Sequence, residues 1–201
     1  MKERGGHQAS PFLFILSLHS MDSQVLIDKE LFERLVDRMA HQLLEHHDFS
    51  ETDLVGLQPR GYLLALRIQK RLKQLEPHLE IQCGALDTTF HRDDFRQRET
   101  HIAPSLTLMP FLVENRNVIL IDDVLFTGRT IRSGLDALMA HGRPKSVQLM
   151  VLIDRRFQRE LPIEAKYIGK SVDSLDRQYV FVDWEDQPGL SQVLLLNEKP
   201  K

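Results

Sequence analysis

Apolar residues recur along this chain at two spacings, and the alternation between the two outlines a fold. Leu31, Leu35, Met39 and Leu43 repeat at helical spacing. With Asp28 as N-cap they predict a helix from Lys29 to His47. Asp53 to Leu57 reads as a short strand, and Tyr62 to Leu75 as an amphipathic helix that Pro77 stops. Leu79 to Leu86 alternates as a strand does. From His91 to His101 charge is dense and apolar residues are scarce, so a mobile loop or exposed hairpin is expected there. Asn117 to Ile121 is a buried strand. A helix follows from Ile131 to His141, with Ile131, Leu135 and Leu138 on one face, Gly142 in the C′ role and Pro144 beyond it. Ser146 to Ile153 is another buried strand, and Ala165 to Ile168, Tyr179 to Val182 and Gln192 to Leu196 are shorter ones. This order predicts an α/β fold, a mostly parallel twisted sheet flanked by helices.

Composition narrows the picture a little. The 201 residues suffice for one substantial core, and 42% hydrophobic with 27% charged residues is ordinary for a globular chain. A net charge of -3 gives no global signature of nucleic-acid binding, though a local basic face is compatible with it. Cys83 is the only cysteine, which excludes an intrachain disulfide and a Cys-rich metal site; it reads as a passive core or edge thiol. No apolar run is long enough to cross a membrane. Basic residues near Met1 and the run Phe12 to Leu16 superficially resemble a secretory signal, but the run is short and Leu18, His19 and Ser20 offer no small-residue cleavage site. Residues 1–24 are therefore expected to be an N-terminal extension outside the fold, with one domain over residues 25–201 and a cytoplasmic location.

The most informative run extends from Val118 to Thr130. Four apolar residues lead to Asp122 and Asp123, followed by Val124, Leu125, Phe126, Thr127, Gly128, Arg129 and Thr130 and then a helix. In open α/β sheets ligands sit beyond the carboxyl ends of the strands, and the backbone N–H groups at a helix start favour phosphate. Gly128 permits close approach of the main chain to the anion, and the two Thr hydroxyls can donate to it. Asp122 and Asp123 would repel a phosphate, but they suit sugar hydroxyls and an accompanying Mg²⁺. The ligand read from these residues is a sugar phosphate. An ordinary buried strand leading into an N-capped helix uses the same residue types, so the order of the elements carries the reading. Pro59, Arg60 and Gly61 also fall between a strand and a helix, where a guanidinium and backbone donors can meet a diphosphate.

The Val118–Thr130 run resembles the 5-phosphoribosyl-1-diphosphate (PRPP) signature of type I phosphoribosyltransferases. That resemblance implies the fold of those enzymes, with Asp122 and Asp123 on the ribose and the residues from Val124 to Thr130 around the 5-phosphate. It also makes Pro59, Arg60 and Gly61 the diphosphate loop, although relatives usually have Thr where Pro59 stands. A cis peptide is expected at Pro59–Arg60. The residues from Asp87 to Asp94 lead into a flexible loop that would close over PRPP, with Arg92 as the basic residue brought to the diphosphate and Arg96 and Arg98 as lesser candidates.

The C-terminal third narrows the match. Gly142 to Pro144, Val151 to Arg155, Arg159 to Pro162 and Tyr167 to Lys170 together resemble the PyrR family, bacterial regulators of pyrimidine operons that are also uracil phosphoribosyltransferases. The resemblance covers about Val25 to Leu196. It implies conversion of uracil and PRPP to UMP and diphosphate, with Arg155 and Tyr179 at the base. Mg²⁺ would be held mainly through PRPP near Asp122 and Asp123, without a direct protein ligand. UMP or UTP would be sensed in the same pocket, and the protein would be a homodimer or higher homo-oligomer. Binding to a pyrimidine-operon leader RNA would use Arg38, His41, Arg156, Arg159 and Lys170, with Lys145 nearby, while Asp37 and Glu164 oppose it. Two alternatives stay open: a nucleotide-sensing RNA-binding attenuator with little catalysis, and a phosphoribosyltransferase for another base.

Overall fold

The structure is a computed structural model that describes residues 23–89, 106–175, 177–184 and 191–198. In chain order its elements are β1 (Ser23–Ile27), α1 (Lys29–His46), β2 (Thr52–Leu57), α2 (Arg60–Leu75), β3 (Cys83–Leu86), β4 (Asn117–Leu125), α3 (Arg129–Met139), β5 (Ser146–Arg156), β6 (Tyr167–Asp173), β7 (Tyr179–Asp183) and β8 (Gln192–Leu196). They fall into two compact units, Glu30–Ser174 and the flanking Met1–Lys29 with Leu175–Lys201.

The larger unit is built on five parallel strands in the order β3-β2-β4-β5-β6. Every residue of β2 is buried, as expected of a parallel strand covered on both faces. Two glycines show how it is covered. A Cβ on Gly56 of β2 would come within 2.4 Å of Tyr62 Cα in α2, and one on Gly134 of α3 within 2.8 Å of Leu57 Cδ2 in β2. Gly56 and Leu57 are neighbours on one strand and face opposite ways, so α2 and α3 lie on opposite faces of the sheet. Helix α1 joins the α2 side through Arg71–Asp37 at 2.6 Å and Arg67–Glu33 at 3.6 Å. Under α3, Val55, Leu57, Val118, Leu120, Leu149 and Val151 pack with Ile131, Ala137 and Leu138.

Several boundaries differ from the sequence expectation. Strand β3 begins at Cys83 rather than Leu79, because its register on β2 starts at Leu54↔Cys83 and there is little β2 left to pair earlier residues. Strand β6 runs from Tyr167 to Asp173, since β5 continues to Arg156 and offers it a partner that far. Helix α3 ends with a cap at Ala140, so Gly142, at φ +142°, stands one residue past the C′ position. Cys83 is half-buried on an edge strand, and burial pushes its thiol up to about 12, which leaves it inert. Among the described residues no helix is long and apolar enough to cross a membrane.

The smaller unit is a separate antiparallel sheet, β1-β8-β7, with Leu194 and Leu196 packed against Tyr179 and Phe181. Too few residues lie between β7 and β8 for a parallel crossover, so these strands pair as a hairpin instead of extending the parallel sheet. The pairing Ser23↔Leu196 and Gln24↔Leu195 draws into β1 two residues expected to lie in the extension.

At the amino end of the parallel sheet, buried Asp53 accepts from Arg116 through both oxygens, at 2.8 and 2.9 Å, and Arg116 also donates to the Ser50 carbonyl at 2.6 Å. Asp53 is 1% exposed and the Arg116 side chain 29%, so the two halves of this pair are unequal. Arg116→Ala strands a carboxylate without water and should cost about 3–5 kcal/mol. Asp53→Ala leaves a guanidinium that can reach solvent and should cost about 1–2 kcal/mol. Urea unfolding of both variants checks the order.

Candidate active site

Strand β4 runs four residues beyond the expected Ile121, to Leu125, because β5 continues beside it with Asp122↔Val151, Val124↔Ile153 and Leu125↔Asp154 in register. Asp122 and Asp123 are therefore strand residues rather than turn residues, each only 7% exposed. The first turn of α2 rests against them. A Cβ on Gly61 would fall 2.3 Å from the Ile121 carbonyl oxygen and 2.9 Å from Asp122 Cα, so only glycine fits this position. Arg60, one residue earlier, brings Nη1 to 3.7 Å from Asp123 Oδ2, an ion pair rather than a hydrogen bond. Pro59, Arg60 and Gly61 thus meet the acidic pair at the carboxyl edge of the sheet. The cis peptide in this loop is Gln58–Pro59, not Pro59–Arg60. Proline weakens the trans preference only of the bond that precedes it.

Two helices start at this edge, and neither N-cap residue makes a side-chain cap hydrogen bond. Pro59 is the N-cap of α2 and makes no side-chain cap hydrogen bond. Gly128 is the N-cap of α3, at φ +91°, a conformation that disfavours any residue with a Cβ. Val124, half-buried, and Leu125, buried, end β4; in the loop that follows Phe126 is exposed and Thr127 half-buried, and in the first turn of α3 Arg129 is exposed and Thr130 half-buried. The Arg129 N–H lies 3.4 Å from Thr127 Oγ1, and Arg129 Nε donates to Glu160 at 2.6 Å. Two helix starts with partial positive charge therefore flank two buried carboxylates.

Burial pushes the Asp122 carboxyl well above the usual carboxylate range, and the adjacent Asp123 charge adds to the effect. A hydrogen bond from the Asp123 N–H to Asp122 Oδ1, at 2.9 Å, and the charge of Arg60 act in the opposite direction. The pair by itself thus resists carrying two full negative charges. Groups that donate hydrogen bonds to it, or a cation beside it, relieve that cost. No cluster of three or more His, Cys, Asp or Glu suited to a metal occurs among the described residues. A cation near Asp122 and Asp123 would take its remaining ligands from a bound molecule.

Beside the loop, the Arg155 guanidinium lies 4.0 Å over the Phe126 ring, and Arg155 is only 4% exposed. It donates to Ser174 Oγ and to Gln158 Oε1, both at 2.8 Å. Asp154 forms a part-buried ion pair with Arg159, whose guanidinium also donates to the Phe126 carbonyl. Gln158 and Ser174 carry no motif, and the Arg159 to Pro162 run that holds Glu160 gives it no role at this loop. Only the pairing of β4 with β5 and of β5 with β6 brings them here. Tyr179 opens β7 in the smaller unit, and Arg92, Arg96 and Arg98 lie outside the described residues.

The cations read as RNA contacts gather around the edge strand β6. Arg38 donates to the Ile168 and Gly169 carbonyls, Lys170 follows on the same strand, and Arg156 makes a bidentate pair with Asp173 at 2.7 and 2.8 Å. His41 Nδ1 contacts the Asp37 carbonyl at 2.9 Å, one turn from Arg38. Arg159 stands apart from this group, directed at the loop.

A family model described as the phosphoribosyl transferase domain matches residues 24–188. The chain is 41% identical over 175 residues to a protein of Geobacter sp. (strain M21) named Bifunctional protein PyrR, spanning 87% of this chain and 98% of that protein. It is 40% identical over 179 residues to the protein of the same name from Streptococcus sanguinis (strain SK36), spanning 89% of this chain and all of the other. Among solved structures, a hypoxanthine phosphoribosyltransferase of Staphylococcus aureus superposes with a TM-score of 0.64 at 21% identity, over 89% of this chain and 94% of that one, a likeness of fold.

The raised Asp122 pKa has a measurable sign. A proton held more tightly in the folded state contributes stability that is complete below about pH 4 and is lost as pH rises through the folded value. Asp122→Asn keeps an acceptor for the Asp123 N–H and removes the titration. Its stability advantage over the wild type should therefore grow with pH across that window, by up to about 1.4 kcal/mol per unit. Denaturant titrations from pH 4 to pH 8 read this directly. A constant difference between the two proteins would show that Asp122 titrates normally.

Proposed function

The chain belongs to the PyrR family of phosphoribosyl transferase domains, and from that membership we propose that it joins uracil to PRPP, giving UMP and diphosphate. The observation that carries the reading is the arrangement at the carboxyl edge of the sheet: two helix starts, whose N-cap residues make no side-chain cap hydrogen bond, on either side of Asp122 and Asp123. A ligand for it has phosphates at both ends and hydroxyl donors between them, which describes PRPP. The 5-phosphate takes the loop from Val124 to Thr130, the diphosphate takes Pro59, Arg60 and Gly61, and the ribose hydroxyls take the two carboxylates.

In the reaction the bond from ribose C1 to the diphosphate oxygen breaks as the bond from C1 to the uracil nitrogen forms, and the proton of that nitrogen is released to the medium. Positive charge develops on the sugar. Asp122 and Asp123, fixed on a buried strand, lie where that charge grows and need little rearrangement to stabilise it. Arg60 draws the departing diphosphate and, before a ligand arrives, balances Asp123. Mg²⁺ brought in with PRPP near Asp122 and Asp123 would supply further charge neutralisation on the diphosphate. Arg155, whose guanidinium lies over the Phe126 ring, is assigned to the base, and the family resemblance assigns Tyr179 to it as well. Arg92 is assigned to the closing loop. We place the protein in the cytoplasm, where PRPP is available, as a homodimer or higher homo-oligomer.

Family membership also supports a second activity, pyrimidine-responsive binding of an operon leader RNA, with UMP or UTP as the signal. Arg38, His41, Arg156 and Lys170, gathered around β6, are its candidate contacts. The charge of Arg156 is partly offset by Asp173, and Asp37 lies beside His41, so the affinity depends on few phosphate contacts.

Diphosphate release with PRPP and Mg²⁺ should occur with uracil and not with hypoxanthine, guanine or orotate. Asp123→Asn and Thr130→Ala should each lower turnover about a hundredfold or more while the circular dichroism spectrum stays unchanged. Near-normal kinetics in both variants, or turnover with a purine alone, would overturn the assignment. For the RNA, Arg156→Ala with Lys170→Ala should weaken leader binding and reduce the salt slope by about one for each phosphate no longer neutralised, with the KM for PRPP unaltered. No binding by the wild type at low salt would remove this second activity.

A further inference from the structure

The carbonyls of the phosphate loop are held by a segment that follows β5, far from the loop in sequence. The Phe126 carbonyl accepts from Arg159 Nη1. The Thr127 carbonyl accepts from the N–H of Glu160 at 3.0 Å and from that of Leu161 at 3.2 Å. The segment packs closely on the loop, since a Cβ on Gly128 would lie 3.4 Å from both Leu161 and Ile163 side chains. Arg159 is itself anchored, with Nη2 on Asp154, whose ladder partner is Leu125 at the end of β4.

In a trans peptide the carbonyl of one residue and the N–H of the next point in opposite directions. Donors that capture the Phe126 and Thr127 carbonyls therefore turn the N–H groups of Thr127 and Gly128 away from the 159–161 segment. An anion-binding loop needs its amides outward and its carbonyls withdrawn, because a carbonyl oxygen facing a phosphate repels it. Left to itself, a loop containing glycine would sample both orientations of these peptides.

We propose that Arg159 is a positioning residue of the phosphate site: by capturing the Phe126 carbonyl it presets the loop amides toward the ligand's 5-phosphate. This rests on the phosphate-loop reading given above. It gives Arg159 a task at the ligand that its sequence neighbours do not suggest, and separates it from the cations around β6.

The test measures UMP binding by calorimetry together with steady-state kinetics for PRPP and uracil. Arg159→Ala should weaken UMP and raise the KM for PRPP about ten- to a hundredfold, the loss expected for a hydrogen bond from a charged donor. The kcat should fall less than about threefold and the KM for uracil should not move, because the bound loop regains its geometry once phosphate is present. Arg159→Lys should recover most of the affinity, since a point donor can still reach the carbonyl. Asp154→Asn, which loosens the anchor without touching the loop, should give a smaller loss in the same direction. UMP affinity unchanged in Arg159→Ala, with Thr130→Ala impaired, would overturn the proposal and leave the phosphate-loop reading standing. Equal losses for PRPP and uracil with a lowered Tm would also overturn it, as general loosening. A wild type that binds neither UMP nor PRPP would overturn both.

Discussion

Because Gly61 carries no Cβ, the first turn of α2 lies directly on the main chain of β4 at Ile121 and Asp122. A side chain there would collide with backbone, which cannot rotate aside, so the helix would have to lift from the sheet. That close approach brings Arg60 within range of Asp123 and sets the start of α2 beside the carboxylates. It also helps bury them, and that burial pushes the Asp122 carboxyl above the usual carboxylate range. Helix position and the raised pKa of Asp122 share this contact as a cause.

The charges around the site are arranged so that the protein's own groups partly cancel them. Arg60 faces Asp123, Arg129 faces Glu160, and Arg159 faces Asp154. Such pairs limit self-repulsion in a region that concentrates both signs. Among the described residues at the site, the acidic pair of neighbouring strand residues is left with a like-charge conflict. The site is therefore least comfortable at the position where ribose chemistry is assigned.

Much of this was legible in the sequence because its causes are local. The run from Val118 to Thr130 encodes strand, carboxylates, glycine turn and helix in consecutive residues, and β8 matches its expected bounds at both ends. Strand limits set by a partner were not legible. The reach of β4 to Leu125 is decided by β5, and the late start of β3 by its register on β2. The longer β4 moved Asp122 and Asp123 from a turn into a buried strand, where burial raises the pKa of Asp122. The separate sheet β1-β8-β7 was hidden for the same reason, since each short strand is silent about which neighbour it joins. The site was legible where a motif carried it and illegible where topology did: nothing near Gln158, Glu160 or Ser174 marks them as neighbours of Phe126, Arg129 or Arg155.

The hold of Arg159, Glu160 and Leu161 on the Phe126 and Thr127 carbonyls also bears on how the molecule comes into being. Arg159 is 33 residues downstream of the carbonyl it grips. During synthesis the whole signature leaves the ribosome while those donors are still unmade, and closing so long a loop carries an entropic cost that local turns do not. The most recognisable stretch of the chain thus belongs to the parts that set late, and a nascent chain cut before Leu161 would contain the motif without its working shape.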